Sequence, residues 1–405
     1  MRGSCIFATP PHLHHPTDAV GDRPVLEPSY LRMDRPQLNH RIEQAWELMH
    51  SPCRVCPRGC KVDRTQDDHR GYCGVGAKAL IAGSAVFFAE DPPLLGPPPT
   101  DGRLGGSGTI IFASCNLSCI YCIAWRYSQE RQGSSGDGSV APAREVSPEY
   151  LASMMLRLQQ LGCVNIHLYT PSLCGPQILA ALPYAIDAGL TLPLVYDTSC
   201  YDSVEMLRLF DGIVDIYVPD IRFTDDEMSA QYAGARDYWD VAKEALKEMH
   251  RQVGDLVVVD GLAVRGLVIR HLVLPEGIAG TPEAMRFVAE ELSPNSYVNL
   301  MWQYRPDWRA WSSPELGRRI NGQEFIQAVI AARDAGLWRL PGAVERLEWI
   351  SGNPVRLMFP LPAYPILDGA AGRLLSEWNN EAYAELEAAC IDTAGCGEKD
   401  TPQEG

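Results

Sequence analysis

From Gly108 onward the chain repeats one pattern: a short apolar run rich in β-branched residues, then a longer stretch whose apolar positions recur at helical spacing. Gly108-Thr-Ile-Ile-Phe-Ala113 reads as a buried strand. A helix over 148–161, opening at Ser147-Pro-Glu, leads to a strand over 164–169. A helix over 176–188 leads to a strand over 192–196, and a short helix over 202–209 to a strand over 213–218. Helices across 225–252 precede a strand over 266–274, a helix over 282–293 precedes a strand over 297–302, and a last helix spans 322–335. Six such units imply a parallel sheet wrapped by helices. Six rather than eight suggests a partial (β/α)6 barrel, with an open doubly wound sheet as the competing arrangement.

Ahead of the repeat the pattern changes. An amphipathic helix is expected over 38–50, with Ile42, Ala45, Trp46 and Met49 on its apolar side. Residues 91–108 hold too much Pro and Gly for regular structure and read as a connector, and 131–147 as a flexible insertion. Residues 1–40, rich in Pro and His, read as a loosely ordered leader rather than a metal-binding His12/His14/His15 group. The tail carries an apolar run from Val355, a helix near 370–390 and a polar end. The division is therefore 1–50 leader and helix, 51–107 cysteine-rich segment, 108–340 barrel, and 341–405 extension.

Composition narrows the function classes. A formal net charge of −16 and a pI near 5.0 disfavour a nucleic-acid partner, because such binding rests largely on neutralising phosphates. No apolar stretch is long enough to span a membrane, and the first residues make no convincing signal peptide. Thirteen cysteines suggest a disulfide scaffold only until their placement is read: seven fall in two tight groups with metal-ligand spacing. A reducing cytoplasm is the expected location.

The first group is Cys115-Asn-Leu-Ser-Cys119-Ile-Tyr-Cys122, placed directly after a strand. Three thiolates on one loop can hold three corners of a [4Fe-4S] cube and leave one iron open to a ligand. A zinc knuckle or plain buried thiols are the alternatives, although zinc sites more often show paired C-x2-C units and a fourth ligand. The second group, Cys53, Cys56, Cys60 and Cys73, is a closed four-ligand site in which zinc and iron–sulfur remain open, with free thiols as the other alternative. Cys390 and Cys396 read as spare thiols.

In either sheet arrangement ligands collect at the carboxyl ends of the strands. That rule singles out Thr170-Pro-Ser172, Asp197-Thr-Ser199, Pro219-Asp-Ile-Arg222, Arg270-His271 and Gln303-Tyr-Arg305. Helix capping competes with site roles for Ser172 and Asp202.

With these residues assembled, the chain resembles the radical S-adenosylmethionine (SAM) superfamily, and within it the cysteine-rich branch related to pyruvate formate-lyase activating enzymes. The matching text is Cys56-Pro-Arg-Gly-Cys60-Lys-Val-Asp-Arg64, Gly71-Tyr-Cys-Gly74, Gly106-Ser-Gly-Thr109 and the Cys115–Cys122 loop, followed by Asp197-Thr-Ser199, Asp215-Ile-Tyr-Val-Pro-Asp220, Arg270-His-Leu-Val-Leu-Pro275 and Gln303-Tyr-Arg-Pro306. The resemblance implies a radical SAM oxidoreductase. SAM would chelate the open iron, and its reductive cleavage would give methionine and a hydrogen-abstracting 5′-deoxyadenosyl radical. It implies SAM contacts from Thr170, Asp197, Ser199 and His271, with Tyr121 near the adenine, and extends the cofactor site to Asp220, Arg222, Arg270 and Gln303. It also implies an electron donor such as flavodoxin or ferredoxin. Two departures bear on substrate: Thr170-Pro-Ser-Leu173 stands where relatives often have Thr-Pro-Thr-His, and Arg222 where they often have lysine.

Three functions compete at this stage. One is a radical SAM enzyme acting on a small molecule or modified peptide. Another is an activase that installs a glycyl radical on a partner protein. The third is a non-catalytic iron–sulfur electron-transfer protein, which gains nothing from an open corner ringed by polar groups.

Overall fold

The structure, a computed structural model, describes residues 27–98, 105–129 and 143–343. Of the leader expected over 1–40, residues before 27 lie outside the described residues, as do most of the 131–147 insertion and everything expected past 343; the rest of the leader is structured, with a 3-10 turn at Ser29–Arg32 whose Ser29 Oγ donates to Asp215 Oδ1 at 2.6 Å and a helix that begins at Arg35. Among the described residues there are nine strands: β1 (Ala79–Phe87), β2 (Ser107–Phe112), β3 (Arg144–Val146), β4 (Ile166–Tyr169), β5 (Leu194–Thr198), β6 (Ile216–Ile221), β7 (Val257–Val259), β8 (Leu262–Leu272) and β9 (Tyr297–Met301). The helices are α1 (Arg35–Glu47), α2 (Pro92–Leu95), α3 (Trp125–Ser128), α4 (Pro148–Gln160), α5 (Gly175–Asp187), α6 (Val204–Arg208), α7 (Asp226–Ala233), α8 (Tyr238–Val253), α9 (Thr281–Phe287) and α10 (Gly322–Asp334). Side-chain caps fix several starts, among them Asp34 on Gln37, Ser147 on Tyr150, Ser203 on Met206 and an Asn321/Glu324 capping box.

Six strands, β2, β4, β5, β6, β8 and β9, run parallel and lie side by side in chain order. A doubly wound sheet would reverse direction partway, and this one does not. The winding is that of a barrel, left unclosed by hydrogen bonds because β9 pairs with β8 alone. β1 extends the opposite edge, antiparallel to β2, and β3 lies beyond it.

Residues opposite one another in register share a face. Ile110, Leu168, Tyr196, Tyr217 and Leu267 form one such row and point into the main core beneath the helices. The alternating row, Ile111, Tyr169, Asp197 and Val218, points the other way, as does the row of Asp220, Arg270 and Asn299. This second face is the lumen. Its floor is a separate apolar cluster in which Leu94 of α2 meets Val195, Ile216, Val218, Val268 and Tyr297.

Three expectations change. Within the expected cysteine-rich segment, residues 79–87 are strand β1, bonded to β2 from Ile81 to Phe87. The stretch expected as a connector carries α2, which plugs the lumen, with Asn165 Nδ2 donating to the Leu94 carbonyl at 2.8 Å. Similarly, the last part of the expected insertion is strand β3.

Leu94 is fully buried, so Leu94→Ala should cost about 2–5 kcal/mol by cavity formation at the lumen floor. Chemical denaturation measures this, and a loss under about 0.5 kcal/mol would show that the floor does not depend on α2.

Candidate functional site

The cysteine loop leaves β2 through Ser114, which holds a positive φ of 70°. Backbone bonds then tie the loop to distant elements. Ser114 N–H donates to Tyr127 O, Ser118 N–H to Ala233 O, Ile120 N–H to Tyr232 O and Arg309 N–H to Ile120 O, all between 2.8 and 3.0 Å. Asn116 Nδ2 donates to Tyr201 O at 2.6 Å, and Arg58 clamps Asn116 O from Nε and Nη2 at 2.8 and 2.7 Å. A loop held this way presents its side chains at fixed positions rather than sampling many.

Cys115, Cys119 and Cys122 all line one cavity of about 220 Å³ at the carboxyl ends of the parallel strands. Tyr169, Ser199, Asp220, Arg270 and Gln303 face it too, so both ends of the strand row reach it and the sheet must curve around it. Burial pushes the Cys115 thiol up to about 11 and Cys119 up to about 12, and raises Cys122 as well. Alone, such thiols stay protonated at neutral pH; a metal is what draws them into the thiolate form. Donors are in place for that: Leu117 N–H lies 3.4 Å from Cys115 Sγ, and Ser128 Oγ lies 3.3 Å from Cys122 Sγ.

The polar wall is incomplete within the protein. Tyr121 OH, Arg222 Nε and Asp220 Oδ1 are buried and have no hydrogen-bond partner. Orphaned buried polar atoms are costly and call for a ligand. Arg222 Nη2 does donate to Asp220 Oδ2 at 2.9 Å, and burial, only partly offset by Arg222, raises the Asp220 carboxyl to about 6. Tyr238 of α8 sets the backbone here: its hydroxyl lies 2.9 Å from Ser199 O and 3.0 Å from Asp220 O, and accepts Arg222 N–H at 2.9 Å. Tyr121 is locked edge-on against Phe223 and Tyr304, with ring centroids 6.1 and 5.9 Å away.

Below lies a second lobe of about 380 Å³, which shares Tyr169, Arg270, Met301 and Gln303 with the first and adds Glu90, Asp91, Thr109 and Asn299. Arg270 is its centre. It bonds Glu90 Oε2 at 2.5 Å, Asp91 Oδ2 at 2.7 Å and Asp197 Oδ2 at 3.0 Å. Asn299 Nδ2 donates to Asp91 Oδ1 at 2.6 Å, and His167 Nε2 lies 2.9 Å from Asp197 Oδ2. Burial opposes a charge on His167, yet the Glu90 and Asp197 carboxylates raise its pKa.

Of the nine expected cofactor residues, Tyr121, Ser199, Asp220, Arg222, Arg270 and Gln303 line the cysteine-bearing cavity. Thr170, Asp197 and His271 do not. Thr170 leads into a 3-10 turn over Pro171–Leu173. Asp197 is buried with one oxygen shared between His167 and Arg270. His271 follows Arg270 on the strand and so faces the helices, between Ile221 O at 3.0 Å and Thr281 Oγ1 at 2.9 Å. Asp202 is no cap; it accepts from Tyr196 OH at 3.0 Å and from Thr198 Oγ1. Sequence reasoning missed Glu90, Asp91, His167, Tyr169, Tyr238 and Asn299. Only His167 and Tyr169 carried a signal, as polar residues alternating with Ile166 and Leu168 in a strand otherwise apolar.

The other four expected metal ligands, Cys53, Cys56, Cys60 and Cys73, lie together in the segment before β1, and Ser114 Oγ donates to Cys73 O at 2.6 Å. Among the described residues, no helix is long and apolar enough to cross a membrane.

Fold and site together define an α/β protein whose curved parallel sheet carries a three-thiol cavity at its strand ends. No protein-family model matches the chain. Over 302 residues it is 26% identical to the uncharacterised protein MJ0674 of Methanocaldococcus jannaschii, covering 74% of this chain and 79% of that one. A radical SAM methyltransferase from Sphaerobacter thermophilus aligns at a TM-score of 0.39 and 14% identity, over 63% of this chain and 67% of its own. HydG, a maturase of the [FeFe]-hydrogenase, aligns at 0.37 and 13%, over 58% of this chain and 52% of its own. These structural likenesses are loose, and the fold rests on the strand order described above.

Removing Arg270 leaves Glu90, Asp91 and Asp197 facing one another. Arg270→Met should therefore cost about 3–5 kcal/mol in denaturant unfolding, and a neutral result would contradict the central role of that guanidinium. His271 makes a separate prediction. Burial lowers its folded pKa from 6.5 to about 4, so between those values only the unfolded chain takes the proton and stability falls as pH drops. His271→Gln should flatten that acid-side slope by up to about 1.4 kcal/mol per pH unit. An unchanged slope in pH-dependent unfolding would refute the buried neutral imidazole.

Proposed function

We propose that the protein is a radical SAM enzyme whose Cys115, Cys119 and Cys122 hold a [4Fe-4S] cluster with one open iron. The observation that carries this reading is the pairing, in one cavity, of three thiols with three orphaned polar atoms, on Tyr121, Asp220 and Arg222. Three sulfur ligands leave a cluster corner unfilled, and unpaired buried donors and acceptors beside it require a polar ligand. The thiol spacing agrees. Among the described residues no three cysteine sulfurs lie mutually within 4.8 Å, whereas sulfurs sharing one zinc, each about 2.3 Å from it, would be at most about 4.6 Å apart.

Together, a cluster and SAM supply one-electron cleavage of the sulfonium C–S bond and a radical that abstracts hydrogen from substrate. The protein's part is to position and to exclude. Asp220 and Arg222 offer an acceptor and a donor suited to the amino and carboxylate groups of an amino acid. Tyr121 packs the cavity wall, and the pinned loop keeps solvent from the thiols. A one-electron donor of the flavodoxin or ferredoxin kind supplies the reducing equivalent. The 380 Å³ lobe below the thiols, mostly apolar but carrying Glu90, Asp91 and Arg270, is of small-molecule size, which ranks a small substrate, or one inserted side chain, ahead of an activase that captures a whole protein loop.

Anaerobically reconstituted protein given dithionite and SAM should form 5′-deoxyadenosine, and Cys119→Ala should reduce the rate by at least about 100-fold while the chain stays folded. Asp220→Asn and Arg222→Lys should each weaken SAM binding by roughly 10-fold or more, as expected for a lost buried polar contact. Undiminished nucleoside formation by Cys119→Ala would exclude the assignment.

A further inference from the structure

The four cysteines before β1 form a site of their own. Cys53, Cys56 and Cys73 are buried, and Cys53 N–H donates to Cys60 O at 2.8 Å, closing the turn that carries the first three. Gly59 makes that turn with a φ of +56°, a conformation that favours glycine. Backbone donors are aimed at three of the sulfurs: Tyr72 N–H at Cys60 Sγ, 3.4 Å away, Arg58 N–H at Cys56 and Val75 N–H at Cys73. Such donors stabilise thiolate sulfur, and hydrogen bonds to the sulfurs are among the features that tune iron–sulfur clusters.

Arg64 supplies a second, independent observation. Its side chain is 1% exposed, donates to the carbonyls of Gly76 at 3.3 Å and Leu173 at 2.8 Å, and also hydrogen-bonds the Cys53 thiol. The ionisable groups acting on it are the thiols of Cys73, Cys174 and Cys53. A buried guanidinium without a carboxylate is expensive unless an anion stands beside it. Four thiolates around a metal centre carry that negative charge, and four neutral thiols do not.

We propose that Cys53, Cys56, Cys60 and Cys73 bind a second iron–sulfur cluster, with Arg64 as its buried counter-charge. Zinc is disfavoured by spacing. No three of these sulfurs lie mutually within 4.8 Å, as ligands of a single zinc would, whereas in a cluster the thiolates hold different irons and stand wider apart. The site also touches the three-thiol loop directly: Arg58, between Cys56 and Cys60, clamps Asn116 O, and Ser114 Oγ bonds Cys73 O.

The experiment uses the full chain with Cys115→Ala, Cys119→Ala and Cys122→Ala combined, reconstituted anaerobically and analysed for iron, acid-labile sulfide and zinc. About two to four irons with equal sulfide per chain are expected, together with an electron paramagnetic resonance signal on dithionite reduction. Adding Cys56→Ala should abolish both. One zinc per chain without sulfide, or no metal in a chain that circular dichroism shows to be folded, overturns the proposal. Should the triple variant fail to fold, the unaltered chain decides: iron and sulfide beyond about four per chain support the second cluster, and about four irons with or without one zinc refute it. Loss of 5′-deoxyadenosine formation alone leaves these metal counts unchanged, so the two readings fail separately.

Discussion

Arg270 holds the lumen together. One guanidinium, buried near the carboxyl end of β8, binds Glu90 and Asp91 from the segment after β1 and Asp197 from β5. A charge in that position is tolerable only if it is paired and its remaining donors are used, and all three of its donor nitrogens are. The consequence reaches in two directions. Below, the bonds bring in the segment whose Leu94 seals the lumen floor. Above, the same guanidinium lines the cavity that carries the three thiols.

A sheet left unclosed between β2 and β9 has to manage its interior by other means than barrel closure. Here the β1 extension does this, since it pairs with β2 on one side and sends Asp91 to Asn299 of β9 on the other. The cysteine-bearing segment is thereby built into the barrel rather than appended to it. Arg58 and Arg64 repeat the device, each reaching from that segment to a loop at the strand ends: Arg58 to Asn116 beside Cys115, and Arg64 to Leu173 after β4. Order in the N-terminal segment and order in the three-thiol loop are therefore coupled.

The parts legible in the sequence were those set by local chemistry. The cysteine spacing marked the loop, and periodicity located all six parallel strands to within a few residues. β1 was hidden because Ala79-Leu-Ile-Ala-Gly-Ser-Ala-Val-Phe87 mixes small residues into its apolar run and alternates weakly. Glu90 and Asp91 were illegible because their partner lies about 180 residues away, beyond any local pattern. Arg270 and His271 illustrate a sharper limit: neighbours on a strand face opposite ways, so one enters the lumen and the other meets Thr281 of α9. A strand-end rule that selects both ignores that alternation.

The proposed function requires the three-thiol cavity to carry a cluster whose open corner takes SAM. Electron paramagnetic resonance of the dithionite-reduced protein, recorded with and without SAM, tests it most directly. The reduced-cluster signal is expected to shift its g values on SAM addition, and the Asp220→Asn/Arg222→Met variant to lack that shift. A reduced-cluster signal that saturating SAM leaves unchanged would contradict the proposed function.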